Sequence, residues 1–276
     1  MVSQEQRRRQ LAREKFLRQQ QRRTQARRKA RLRNSVIASV LGVVVIGSVV
    51  LYTTDVLKGD GKKTNTAADV KPSTTPTSKA PDPCAKPAAG SVKKLSWKKE
   101  PAMTIDTSAK YSMKLATTCG DIDIALKTAA APHTVNSFDF LAGQGYLDHT
   151  KCHRLTTTGI YVLQCGDPQG TGMGGPGYTL PDENLKDKSL KGNTYPAGTV
   201  AMANTGQKHT GGSQFFLVYK DSPLPPSYTP FGTVSDAGMK VLQKIAAAGA
   251  QAADPTSGNT APNATVVINK ATVTKS

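Results

Sequence analysis

The sequence predicts a mainly β domain: a closed eight-stranded antiparallel barrel capped by two helices, preceded by a single transmembrane helix and a disordered linker. Three observations lead there. A run of 21 residues without a charged side chain, 34–54, follows a strongly basic start. A Pro/Thr/Lys-rich stretch separates that run from the remainder. The remainder alternates between short apolar segments of period two and two segments of helical period. About eight short strands and two helices fill roughly 165 residues, and two helices cannot cover both faces of so large a sheet. Closure into a barrel disposes of its edges and faces together.

The chain has 276 residues, enough for one or two domains, and a net charge of +18. That charge is unevenly spread. Residues 1–34 carry thirteen Lys/Arg against Glu5 and Glu14, a net of +11, so the rest holds only +7. The globular part is therefore mildly basic, and an aromatic content of 5% offers no stacking platform for single strands. Nucleic acid is not among the expected partners. Residues 1–34 read as a basic cytoplasmic tail drawn to anionic lipid head groups.

Residues 35–54 read as the transmembrane helix. Val36 to Leu51 has no polar face, and at ~1.5 Å per residue the run crosses a ~30 Å hydrocarbon layer. A cleaved signal peptide is the competing reading, opposed by the long basic region and the lack of a clear small-x-small cleavage site. Positive charge stays inside, so the expectation is a single-pass protein of the cell membrane with its N-terminus cytoplasmic and its domain extracytoplasmic. Residues 55–107 read as a linker, with Pro72, Pro76, Pro81, Pro83 and Pro87 closely spaced and too little apolar surface to offset chain entropy. Trp97, the only tryptophan, either packs on the domain's edge or rests at a surface. Cys84, Cys119, Cys152 and Cys165 fall on the oxidising side, where disulfides persist; four cysteines allow three pairings and the sequence does not choose. Their spacing offers little for zinc, and no metal or other cofactor is expected.

The folded domain is placed at 108–276. Tyr111 to Thr118 alternates, Cys119-Gly120 turns, and Ile122, Ile124 and Leu126 alternate again, which makes a hairpin. Pro132-His133-Thr134 opens a helix with Thr134 as N-cap, and Val135, Phe138, Leu141 and Ala142 line one face. Cys152 to Pro168 is a second hairpin: one arm ends in Arg154, and the other is the apolar run Tyr161-Val162-Leu163 closed by Gln164. An arginine, an amide and an apolar floor suit a neutral, partly apolar group such as a peptide. Five glycines between 170 and 177 read as backbone passing close to something; no Gly-Lys-Ser/Thr ending makes them a phosphate cradle. Gly198 to Asn204, Gly211 to Val218 and Phe231 to Val234 read as strands. Ser213 with a histidine would suggest a hydrolase, but no Gly-x-Ser-x-Gly elbow surrounds it. Met239, Leu242 and Ile245 mark a second helix, and Thr265 to Val273 is the last alternating strand.

Cys152-His153-Arg154-Leu155, Gln164-Cys165-Gly166-Asp167-Pro168, Met202-Ala203-Asn204, Gly212-Ser213-Gln214-Phe215-Phe216 and Phe231-Gly232-Thr233-Val234 stand in the order and approximate spacing of the cyclophilins. From Tyr111 to Val273 the chain resembles these peptidyl-prolyl cis-trans isomerases, which are built on a closed eight-stranded barrel. Its whole organisation is similar to membrane-anchored actinobacterial members. The resemblance implies catalytic roles for Arg154 and Gln164. It implies that Phe216 lies under the substrate proline and that the Asn204 backbone docks the peptide. Tyr161 and Val162 fall in the proline pocket, while Gly172, Ala203, Thr205, Gln214 and Leu224 fall on the neighbouring groove. Tyr228 takes the place of the usual histidine, and its phenol still donates a hydrogen bond. Pro223 stands where a ring that aids cyclosporin binding would be. Nine residues separate Arg154 from Gln164, a longer hairpin than the family's usual one.

The activity so implied is rotation about X–Pro peptide bonds, assisting the folding of exported or cell-surface proteins. The expected partners are proline-containing polypeptides and membrane lipid, with the chain a monomer. Two readings of other classes stand beside it. One is a non-catalytic proline-peptide-binding module or chaperone tethered to the membrane. The other is a structural surface protein whose tail recruits a cytoplasmic partner.

Overall fold

The structure, a computed structural model, describes residues 81–254 and 259–276. The expected tail at 1–34, the expected transmembrane helix at 35–54 and the first part of the linker, 55–80, lie outside the described residues. Among the described residues no helix is long and apolar enough to cross a membrane.

Alternation builds the first hairpin as the sequence predicts. Tyr111, Met113 and Leu115 of β1 (Tyr111–Thr117) face inward, as do Ile122, Ile124 and Leu126 of β2 (Gly120–Leu126). The register pairs Tyr111 with Leu126 and Thr117 with Gly120, leaving Thr118-Cys119 as the turn. Helix α1 (Pro132–Gly143) follows, with Val135, Phe138, Leu141 and Ala142 buried. Its cap differs from expectation. Thr134 lies inside the helix, and the distant Glu183 carboxylate accepts from the His133 N–H (3.0 Å), the Thr134 N–H (2.9 Å) and the Thr134 hydroxyl (2.7 Å). Pro132 opens the helix without needing a donor, and the carboxylate completes its positive end.

The remaining strands are β3 (Thr150–Lys151), β4 (Arg154–Leu155), β5 (Val162–Cys165), β6 (Thr194–Tyr195), β7 (Thr199–Met202), β8 (Phe215–Val218), β9 (Ser222–Pro223) and β10 (Pro230–Val234), all short, and the longer β11 (Val267–Lys275). Nine of the eleven strands form one antiparallel sheet in the order β3-β11-β1-β2-β10-β7-β8-β5-β4, while β6 and β9 pair separately. The expected closed eight-stranded barrel is thus corrected to a curled, nine-stranded half-barrel. No ladder joins its end strands, β3 and β4. The reason is that these two are one stretch of chain that changes partners. Lys151 pairs with Val267 and Arg154 with Gln164. Between them the Cys152 N–H turns to Val266 O, 3.0 Å away. The edges meet through the backbone itself, and a Cys152–Cys165 disulfide ties that junction to β5.

Phe138 plugs the curl: its ring lies 4.7 Å from that of Phe231 and 5.4 Å from that of Phe215. Burying each such side chain contributes roughly 1.5–3 kcal/mol. Helix α2 (Asp236–Ala247) closes the other side through Leu242 and Ile245, and the Ser235 hydroxyl caps it by accepting from the Gly238 N–H at 3.1 Å. Met239 is only partly buried.

The expected linker is corrected from residue 81 onward: residues 81–107 form a strap seated on the domain. Cys84 is bonded to Cys119. Trp97 packs on the edge, its ring 5.0 Å from Phe140 and 5.7 Å from Tyr146. Asn136 of α1 holds the last part, accepting from the Thr104 N–H (2.9 Å) and donating to Ala102 O (3.0 Å). One aromatic ring and one disulfide supply what proline-rich composition lacks.

Candidate active site

Residues directly opposite one another in a sheet share a face. Arg154 pairs with Gln164, Gln164 with Phe216, and Phe216 with Ala201. One row across β4, β5, β8 and β7 therefore presents a cation, an amide, an aromatic ring and a small side chain to the outside of the curl. Beneath and around this row lies a second apolar cluster, apart from the main core, made of Val162, Tyr195, Ala201, Phe216 and Val218. That cluster explains why β7 and β8 are buried at every position.

Arg154 is half-buried, and its charge meets no carboxylate among the described residues. Burial holds the guanidinium below its ordinary pKa, an effect the nearby Tyr228 opposes, yet an arginine keeps its proton at any neutral pH. Its orientation comes from a chain of amides. Arg154 Nη1 donates to Gln164 Oε1 (3.1 Å), Gln164 Nε2 to Gln214 Oε1 (2.9 Å), and Gln214 Nε2 to Gly174 O (2.8 Å). Among the described residues the bond to Gln164 is the only hydrogen bond that the guanidinium makes.

Gly174 stands in the glycine-rich loop, whose first part is wrapped around one carboxylate. The fully buried Asp167 carboxylate accepts from the backbone N–H groups of Gln169 (2.7 Å), Thr171 (2.9 Å), Gly172 (2.6 Å) and Met173 (3.2 Å). Burial alone would raise this carboxyl's pKa, but the backbone donors outweigh it and hold it below the usual range. A side chain on Gly174 would collide with Asp167 Oδ1, so the expected close approach is to this carboxylate.

A cavity of about 230 Å³ opens beside the row. Arg154, Gln164, Val162 and Phe216 line it, as do Ala203 and Asn204 from the end of β7 and Leu224 and Tyr228 from the proline-set loop. The Tyr228 ring stands edge-on to Phe216, 5.5 Å away, and the Tyr195 hydroxyl, donating to Tyr228 O (2.7 Å), fixes the loop that carries it. Asn204 is held by its side chain, whose Nδ2 donates to Ser227 O (2.8 Å). No backbone hydrogen bond among the described residues ends at Asn204. Gly172 reaches this cavity too, whereas Thr205 and Gln214 line only an adjoining groove.

Tyr161 lines neither space. Its ring packs against Tyr219 at 5.9 Å and lies under the Lys220 ammonium at 4.6 Å. Ile160 lines the cavity instead, together with Asn259. Strand alternation was the available signal, because Ile160, Val162 and Gln164 share a face that Tyr161 does not. His153, next to Arg154, is 6% exposed, and neither of its ring nitrogens has a hydrogen-bond partner among the described residues. Among the described residues, no three His, Cys, Asp or Glu side chains group as a metal ligand set.

Residues 112–273 match the family model described as cyclophilin type peptidyl-prolyl cis-trans isomerase/CLD. The chain is 50% identical over 149 residues to a probable peptidyl-prolyl cis-trans isomerase B of Mycobacterium leprae, covering 51% of this chain and 50% of that protein. A protein of the same description from Mycobacterium tuberculosis is 48% identical over 149 residues, covering 51% and 48%. The chain thus spans about half the length of these curated relatives. Peptidyl-prolyl cis-trans isomerase B of Bacillus subtilis is 44% identical over 115 residues, 41% of this chain and 76% of that protein. Among solved structures, a cyclophilin type isomerase of Cryptosporidium parvum superposes with a TM-score of 0.50 at 27% identity, covering 60% of this chain and 99% of that one. A match over more than half of the chain, on a curled antiparallel sheet with two helices, places it by descent: this chain belongs to the cyclophilin-type peptidyl-prolyl cis-trans isomerase family.

Proposed function

We propose that the domain catalyses cis-trans exchange of X–Pro peptide bonds at the row Arg154, Gln164 and Phe216, with Gly172, Ala203, Asn204, Thr205, Gln214, Leu224 and Tyr228 holding the substrate chain. The observation that carries this reading is the half-buried guanidinium, in no ion pair among the described residues, beside a cavity with Phe216 and Val162 in its lining. Rotation about the X–Pro bond has a barrier of ~18–20 kcal/mol because the nitrogen lone pair is delocalised into the carbonyl. Twisting localises that pair, and the nitrogen becomes an acceptor that neither ground state offers. A fixed cation aimed at it binds the transition state in preference to both isomers. Phe216 and Val162 grip the proline ring, while Gln164 and the unpaired Asn204 backbone hold the residues before it, so rotation is confined to one bond. Lowering the barrier by ~7 kcal/mol gives about 10⁵-fold acceleration.

In the cell the domain acts outside the cytoplasmic membrane on exported polypeptides, tethered as a monomer by residues 35–54 with residues 1–34 inside. The uncharged run behind a basic tail supports this placement, and so do two disulfides, which persist in oxidising compartments. The full-length chain in detergent is expected to accelerate exchange of a short X–Pro peptide, and Arg154→Ala is expected to lose most of that acceleration. Equal rates for the two proteins would sink the mechanism. Peptide binding without any acceleration by the wild type would establish the binding-module reading in its place. Protease added to intact cells is expected to cut the domain; protection until lysis would overturn the placement.

A further inference from the structure

We infer that the strap extends the substrate groove and makes the enzyme select acidic residues ahead of the target proline, through Lys98 and Lys99. The inference rests on the isomerase site proposed above but assigns the selectivity to strap residues that lie outside the family match, which begins at residue 112. Beside the proline cavity runs a larger groove of about 1020 Å³, and the two share Gln164, Gly172, Ala203 and Asn204. Gln164 and the Asn204 backbone are the groups that hold residues preceding the proline. A peptide in the cavity therefore continues along this groove in its N-terminal direction.

One wall of the groove is the glycine-rich loop, and the far end is the strap. The two are locked together. The Trp97 N–H donates to Pro176 O at 2.8 Å. A Cβ on Gly177, whose φ is +91°, would collide with Ser96 Oγ and lie 2.6 Å from Trp97 O. Only glycine permits both that backbone angle and that approach. Trp97, wedged against Phe140 and Tyr146, then delivers the next residues, Lys98, Lys99 and Glu100, to the groove.

Among the described residues these three are the only charged side chains that line it. Lys98 and Lys99 are exposed and belong to no ion pair among the described residues. Glu100 is turned toward His133, with Oε1 3.4 Å from Nδ1. Two ammonium groups outnumber the single Glu100 carboxylate in a groove otherwise lined by uncharged residues, chiefly glycines, hydroxyls and amides, so it attracts carboxylates and repels lysines. Such exposed pairs give modest, salt-sensitive preferences rather than tight binding.

The test uses the full-length chain and, for each position before one X–Pro bond in turn, three peptides identical except for a single Glu, Gln or Lys at that position. At low salt the wild type is expected to favour Glu over Lys by about threefold to tenfold in kcat/KM at one or more positions, and the ratio falls toward one as salt rises. Lys98→Ala/Lys99→Ala brings the ratio close to one, and Lys98→Glu/Lys99→Glu inverts it. Each ratio is internal to one protein preparation, so a partly misfolded variant still reports. A wild-type ratio of one at every position overturns the inference, as does a ratio that survives in the double alanine variant. Absence of exchange with all of these peptides would fell the isomerase reading instead. Peptide affinities, measured by fluorescence anisotropy in the same series, then decide the inference by the same ratios.

Discussion

Two adjacent rows of the sheet, offset by one residue, divide the work of this domain. Arg154, Gln164, Phe216 and Ala201 face outward, and Leu155, Leu163, Leu217 and Val200 face inward. Both rows cross the same four strands, β4, β5, β8 and β7. The inward row is aliphatic throughout and sealed against Phe138 and its neighbours. In the outward row Phe216 and Ala201 pack with only three further buried residues, Val162, Tyr195 and Val218, and the cation and amide are left half-exposed. Stability and chemistry are thus separated by the two-residue period of a strand, and a slip of one residue would exchange them.

Breaking the inward row should have the largest effect. Leu217→Ala is expected to cost about 2–5 kcal/mol of stability, read as the denaturant midpoint, because a fully buried leucine leaves a cavity that the sheet cannot close. Breaking the outward row should do the reverse. Arg154→Ala is expected to lower kcat/KM by about 10²–10³-fold, the range for removing one fixed transition-state donor, with the denaturant midpoint little changed. An equal stability loss in both variants would dissolve the distinction between the rows.

The amide chain sharpens it further. Gln214→Ala removes the hydrogen bond that orients Gln164, so a loss of about threefold to tenfold, mainly in kcat, is expected from steady-state rates. The smallest effect is in pH. Burial, the chief influence on His153, holds its pKa below the ordinary 6.5; the nearby Asp167 opposes that and Arg154 adds to it. Because the folded-state pKa is depressed, the unfolded chain takes up the proton first. Stability is therefore full above pH 6.5 and drains as pH falls below it. Asp167 is depressed as well, so its contribution is lost only at lower pH, below the ordinary carboxyl value of 3.8. His153→Leu should flatten the dependence between about pH 7 and 5 in thermal unfolding. An unchanged slope would remove His153 from the account.

Local pattern made much of this legible. Period two marked the hairpin of β1 and β2, helical spacing marked α1 and α2, and the Arg154, Gln164 and Phe216 motifs marked the outward row. Tyr161 went astray because the family pattern was followed where alternation pointed to Ile160. Glu183 as the cap of α1 was invisible, since it lies about fifty residues away in a polar loop and nothing local requires it. The pairing of the cysteines, the open ladder between β3 and β4, and the seating of the strap were equally hidden.

By itself, the sequence determined the longer strands, both helices and which of their side chains share a face, because those follow from backbone geometry repeated every two or 3.6 residues; two-residue strands such as β6 and β9 are too short to carry a period. Tertiary structure alone decided that Cys84 meets Cys119, that the sheet's edges join through Cys152-His153, and that Trp97 carries two lysines to the end of a groove. Each of these depends on contacts between distant parts of the chain, whose closing is governed by the packing of the whole domain and leaves no periodic trace in the residues that make them.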